Sequence, residues 1–322
     1  MLAREIVQRV RQIQIRTGRQ VADVLAGEYS SVFKGTGVEF DEVRPYIPGD
    51  DVRTIDWNVT ARIGAPYVKR YVEERQLTVM LMIDISASQD FGSAARSKRE
   101  ATAELCALLA FSAIRNDDKV GLTLFHGGIE QYIPPRKGQK HVLRVIREIL
   151  AHGHESNHDP FASNGLPTRR WWSWRAGRRR PRAGRQATHI AGAMEFLLKA
   201  AKRKTVCFVV SDFFDDGFER ALQTANRKHD VIAVRVSDPR EKAIPNIGLV
   251  TLADPETGMA AVYDTASARF RQVYQDAARR YSDGLSQNFR SRGIDLINID
   301  ASGPVVDPLI RFFRLRERRL RR

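Results

Sequence analysis

From residue 77 to residue 300, continuous apolar runs alternate with stretches whose apolar positions recur every three or four residues. LTVMLMID (77–84) is apolar without interruption, the pattern of a strand buried on both faces. Residues 97–115 have helical spacing, and DKVGLTLF (118–125) reads as the next strand. The rhythm continues with helices over 139–152 and 188–202, the strand TVCFVVSD (205–212), a helix over 217–228 and the strand DVIAVRVSD (230–238). A long helix over 266–290 and the strand IDLINID (294–300) complete it. Strands alternating with helices imply right-handed crossovers and an open, mainly parallel sheet with helices on both faces.

The flanks and one interruption break this rhythm. Ile6, Val10 and Ile13 recur at helical steps near the start. The segment that follows, to residue 76, is punctuated by Gly and Pro and carries short alternating runs, which predicts a small β-rich subdomain. Residues 153–187 carry Gly, Asn, Pro, Trp and Arg without an apolar period and read as a long inserted loop. The expected organisation is an N-terminal helix and β-rich subdomain (1–76), an α/β domain with its insert (77–304), and a basic C-terminal tail (305–322).

The formal charge of +15 changes the picture only locally. Residues 168–186 hold eight Arg and no acid, and residues 311–322 hold seven Arg and one Glu. These two segments supply nearly all the excess, so a basic groove running across the fold is not expected. An apolar content of 43% suits a packed core. Cys106 and Cys207 lie in apolar runs and read as reduced, buried thiols, which fits a reducing compartment. No run approaches the roughly 18 apolar residues that span a bilayer, and the first residues lack the apolar centre of a signal peptide. The expected location is the cytoplasm.

Candidate chemistry gathers where strands end. In open parallel sheets, ligands bind beyond the carboxyl ends of the strands. The first strand runs into Asp84-Ile85-Ser86-Ala87-Ser88, a later one into Ser211-Asp212, and Thr188 opens a helix. The alternate spacing of Asp84, Ser86 and Ser88 places three side chains on one side of an extended turn. Carboxylates and hydroxyls suit a small hard cation such as Mg²⁺, with Mn²⁺ or Ca²⁺ as alternatives. Few direct carboxylates would leave such a cation open to an acidic side chain from another protein. The plainer reading is that Ser and Asp after strands simply cap helices.

The ordered set resembles the metal-ion-dependent adhesion site of von Willebrand factor A domains: Asp84, Ser86 and Ser88 match its first motif, Thr188 its second and Asp212 its third. GxGxEFxxVRxYxPGDDxRxIDWNxxAR (35–62), followed by YVKRYVEER, is similar to the bacterial family of domain of unknown function 58. FGS (91–93), YIPPRKG (132–138), SDPRE (237–241), DPETG (254–258) and the closing FFRLRERR extend the likeness along nearly the whole chain. The Trp/Arg-rich insert departs from it. The resemblance implies a von Willebrand factor A-like α/β fold and a non-catalytic, metal-dependent protein-binding module. Its implied partner is a MoxR-type AAA+ ATPase, with a role in assembling or remodelling client proteins. An acidic residue of that ATPase or of a client would complete the metal's coordination.

Other features carry competing readings. Asp50, Asp51, Arg53, Asp56, Trp57 and Arg62 are expected to form an Arg–Asp network holding the β subdomain against the main sheet. His152, His154 and His158 have spacing compatible with zinc but sit in the insert, where a solvated loop is the simpler reading. Asp215 and Asp216 would tune the metal site or cap a turn. Trp171, Trp172 and Trp174 beside Arg178, Arg179 and Arg180 could bind an acidic protein surface or stack on single-stranded nucleic acid. The alternative function is therefore a nucleic-acid-binding protein using the insert and tail. The tail could also touch anionic lipid, or pack through Leu309, Phe313 and Leu320. A metal-assisted hydrolase lacks an identifiable base or nucleophile, and the absence of GxxxxGK[ST] assigns any ATP hydrolysis to a partner.

Overall fold

The computed structural model describes residues 26–33, 37–74, 76–94, 96–151, 188–253 and 260–320. In chain order the first elements are α1 (Ala26–Val32), β1 (Gly37–Pro45), α2 (Trp57–Ile63) and β2 (Tyr67–Glu74). Then come β3 (Thr78–Asp84), α3 (Lys98–Arg115), β4 (Lys119–Phe125), β5 (Ile129–Arg136) and α4 (Gln139–Ala151). After the insert follow α5 (Ile190–Ala200), β6 (Val206–Ser211), α6 (Glu219–Lys228), β7 (Asp230–Ser237) and the single turn α7 (Pro239–Lys242). The last elements are β8 (Leu249–Ala253), β9 (Ala260–Asp264), α8 (Ala268–Ser291), β10 (Asp295–Asp300) and α9 (Val306–Leu320).

Six strands form one sheet in the order β10-β7-β6-β3-β4-β5. All neighbours are parallel except β5, which runs antiparallel to β4. The apolar runs become buried strands because each face of the sheet meets helices. Val79, Leu81 and Ile83 of β3 pack on one face with α1, α3, α4 and α9, while Met80 and Met82 pack on the other with α5, α6 and α8. A strand so covered keeps no polar alternation. From β3 the chain steps to β4 and β5 on one side, then returns to place β6 on the other. The crevice at the carboxyl ends of β3 and β6 is thus the point where strand order reverses, the usual ligand position in such sheets.

The end segments join this body. Tyr29 and Phe33 of the N-terminal region pack against Phe313 of α9 at ring separations of 6.1 and 5.8 Å. Leu309 and Phe313 are fully buried, so α9 is a core-covering helix; the side chain of Leu320 lies outside the described residues. Three of its arginines form ion pairs: Arg314 with Glu28, Arg316 with Asp230 and Asp295, and Arg319 with Asp295. β1 and β2 form a separate two-stranded antiparallel sheet. The expected network from this β unit to the main sheet is corrected by the structure. Asp50 binds Arg44 and the Ile47 N–H, Asp51 caps the turn at 52–54, and Asp56 caps α2 and pairs with Lys69. These are local bonds, because a carboxylate just before a helical turn finds free N–H groups within its own segment. Trp57, Arg53 and Arg62 are exposed.

Candidate functional site

Strand register builds the site. Ile83 lies beside Val210 in the β3–β6 ladder, which brings Ser211 alongside Asp84 at the strand ends. The Ser211 hydroxyl donates to Asp84 Oδ2 at 2.7 Å, and the Ser86 N–H donates to Asp84 Oδ1 at 2.9 Å. That second bond folds the chain after β3 into a tight Asx turn. Within the turn, the hydroxyl oxygens of Ser86 and Ser88 lie 3.0 Å apart. Thr188, just before α5, directs its hydroxyl to Asp84 Oδ2 at 3.5 Å. Asp215 accepts the Ile190 N–H, the first of α5, at 2.8 Å. The loop after β6 therefore anchors the helix start beside Thr188, whereas the helix that follows Asp215 and Asp216 begins without a side-chain cap.

Asp212 follows β6 directly. Phe213, next in the chain, is buried with φ +63°, a left-handed conformation costing on the order of 1 kcal/mol for a residue with a side chain. Its N–H donates to the Ser211 hydroxyl, and its carbonyl accepts from the Tyr281 hydroxyl at 2.7 Å. Those bonds hold the reversal of direction at Asp212. The Asp212 carboxylate accepts from the Lys98 ammonium at 2.9 Å, and the same ammonium reaches Glu241 Oε1 at 2.6 Å. Lys98 is completely buried. Burial works against its charge, but Asp212 and Glu241 together hold its pKa above the ordinary lysine value.

Asp84 is in a different position. It is 2% exposed, and its pKa is pushed up to about 6, chiefly by burial and then by the negative charge of Asp212. Its bonds come from hydroxyls and an N–H, and among the described residues no Lys, Arg or His pairs with it. A buried carboxylate without a positive partner is electrostatically costly. A hard cation held among Asp84, Ser86, Ser88, Thr188 and Asp212 would relieve that cost, and the oxygen-only donor set fits Mg²⁺ chemistry. Among the described residues no three His, Cys, Asp or Glu side chains group as metal ligands; hydroxyls would have to share the work.

All five residues picked from sequence meet at this crest. Lys98, Ser211 and Glu241 were not among them. Ser211 was named from sequence at the strand end but not assigned to the metal set, and a lysine that opens a helix carries no sequence signal of burial. The FGS segment has a structural part: Ser93 donates from its N–H and hydroxyl to Asp238, and Arg96 binds the carbonyls of Ala301 and Gly303. Trp171, Trp172, Trp174, Arg178, Arg179 and Arg180, with His152, His154 and His158, lie outside the described residues.

The open, mainly parallel sheet with helices on both faces and a polar cluster at its switch point defines a von Willebrand factor A-like α/β protein. The chain belongs to the family described as protein of unknown function DUF58, whose model matches residues 42–283. It is 27% identical over 310 residues to the uncharacterized protein Rv1480 of Mycobacterium tuberculosis, covering 96% of this chain and 89% of that protein. An uncharacterized protein of Mycobacterium bovis matches equally. Among solved structures, the conserved hypothetical protein BatB from Bacteroides thetaiotaomicron overlaps 75% of this chain and 99% of its own, with 16% identity and a TM-score of 0.44. The SpRpn10 VWA domain overlaps 73% and 94%, with 14% identity and a TM-score of 0.35. No helix among the described residues is long and apolar enough to cross a membrane.

Proposed function

We propose that this protein is a non-catalytic, metal-dependent binding module that captures an acidic side chain of a partner protein. The observation that carries the reading is Asp84, buried and without a basic partner inside a set of hydroxyls at the strand crest. Bound there, Mg²⁺ would supply positive charge and an exchangeable position for an outside carboxylate. Asp84 and Asp212 would hold the metal, with Ser86, Ser88 and Thr188 as hydroxyl donors. Mn²⁺ and Ca²⁺ favour the same donor types. Following the family resemblance, the partner is a MoxR-type AAA+ ATPase or its client, in assembly or remodelling of other proteins. Two buried free thiols suit action in the reducing cytoplasm.

Calorimetric titration of Mg²⁺ into chelator-treated protein tests the site, with Asp84→Ala alongside. Saturable binding in the wild type is expected to vanish in the variant, while circular dichroism shows the fold retained. Binding that persists in Asp84→Ala would place the metal elsewhere. For the partner, co-purification with a MoxR-type ATPase should be lost both in excess chelator and in Asp84→Ala. The nucleic-acid alternative predicts binding that falls steeply with salt and disappears on deletion of residues 168–186. Of the arginines in the described part of the tail, Arg314, Arg316 and Arg319 are engaged by carboxylates.

A further inference from the structure

Lys98 occupies a place where a cation is disfavoured twice. It is the first residue of α3, whose N-terminal end carries the positive pole of the helix dipole. It is also fully buried, although ammonium groups lose strong hydration on leaving water. Ion pairs of this kind are weak sources of stability, since apolar residues of similar volume commonly replace them without loss. Something other than packing therefore accounts for a charge here. Its ammonium is shared between Asp212, a residue of the candidate metal site, and Glu241, which belongs to α7.

Glu241 is itself wired into the crest. Its other carboxylate oxygen accepts the Asp238 N–H at 3.2 Å, closing a capping box on α7, and Asp238 holds Ser93 in the loop after β3. Tyr274 of α8 binds the carbonyl of Arg240, the residue before Glu241, at 3.1 Å. A contact that shifts α7 would therefore change how strongly Glu241 competes with Asp212 for the lysine.

We infer that Lys98 is a built-in counter-cation that regulates the site: it draws charge from Asp212, keeps divalent-cation binding weak and exchangeable, and links that binding to Glu241. The inference rests on the metal-binding reading above. It requires opposite signs from two substitutions. Lys98→Met removes a positive charge that repels the metal, so affinity rises. Glu241→Gln removes a negative charge that offsets Lys98, so affinity falls. Each change is expected to reach about tenfold in dissociation constant.

The experiment is calorimetric titration of MgCl₂ into the full-length wild type, Lys98→Met and Glu241→Gln at one pH and ionic strength, with melting curves in chelator and in Mg²⁺. Tighter binding in Lys98→Met together with weaker binding in Glu241→Gln is the expected result, and the melting gain on adding Mg²⁺ should be largest for Lys98→Met. Binding in Lys98→Met but not in the wild type also supports the inference. If the wild type binds and Lys98→Met is unchanged or weaker, or Glu241→Gln is not weaker, the regulatory role is overturned while the metal site stands. Silence in both the wild type and a folded Lys98→Met overturns the two together. Should Lys98→Met fail to fold, Lys98→Gln and Glu241→Gln decide by the same signs.

Discussion

Asp118 shows how one side chain can join elements distant in sequence. Lying just before β4, it accepts the Leu77 N–H at 2.7 Å and the Tyr29 hydroxyl at 3.0 Å. Burial is the main cause that pushes its carboxyl up to about 6. A carboxyl whose folded pKa exceeds its unfolded value stabilises the fold while protonated, and that contribution is lost as pH rises from about 4 to about 6. Urea unfolding of the wild type and Asp118→Asn should therefore show their stability difference moving against the wild type by up to about 3 kcal/mol across that window, then levelling. A difference constant with pH would mean that Asp118 ionises normally. Asp84 is common to both proteins and cancels. Nothing in the sequence marks Asp118, because its partners are 41 and 89 residues away. Asp84 was legible because its motif is local.

At the scale of elements, the helix over 97–115 was readable almost to the residue because its start is encoded nearby. The Ser97 hydroxyl accepts the Glu100 N–H, and the Glu100 carboxylate accepts the Ser97 N–H, a capping box that fixes the boundary. β5 was not readable: it holds Pro134 and Pro135, which mark a sequence against a central strand. The structure resolves the conflict by placing β5 at the sheet edge, where a missing N–H is tolerated. The hairpin of β8 and β9 was likewise missed; β9 is exposed along its length and lacks a buried face to impose alternation. For α9, the sequence left lipid contact and packing through Leu309 and Phe313 open, and the structure shows the packing. Phe313→Ala should cost about 3–5 kcal/mol in chemical denaturation, the range for removing a buried aromatic ring. A loss below about 1 kcal/mol would mean that α9 is detachable.

Across the whole molecule, the sheet divides the core into two apolar layers, and each contains one cysteine. Cys106 on α3 lies in one layer, Cys207 on β6 in the other, and both are fully buried. Burial pushes both thiols up, away from the reactive thiolate. A thiol reagent should therefore label neither cysteine in native buffer and both in denaturant, with no effect of reductant on the melting temperature. Rapid labelling of the native protein would show that one layer opens readily. Independent burial on two faces also explains why the apolar runs 77–84 and 205–212 were so legible. A strand covered on both sides must be apolar at every position, which leaves a pattern that needs no knowledge of its neighbours.

The amino-acid sequence by itself determined the alternation of strands and helices, the two-sided burial of the sheet, the buried thiols and the five oxygen-bearing residues, four at or after strand ends and Thr188 at a helix start. Each of these depends on local periodicity or on residues within a few positions of one another. Only the tertiary structure decided the strand order, the antiparallel edge, the docking of α1 and α9, and the pairing of Lys98 with Asp212 and Glu241. Those depend on groups 114 and 143 residues apart in the case of Lys98. Charge pairing in a buried site is a property of distance in space and of the loss of water, and a linear sequence records neither.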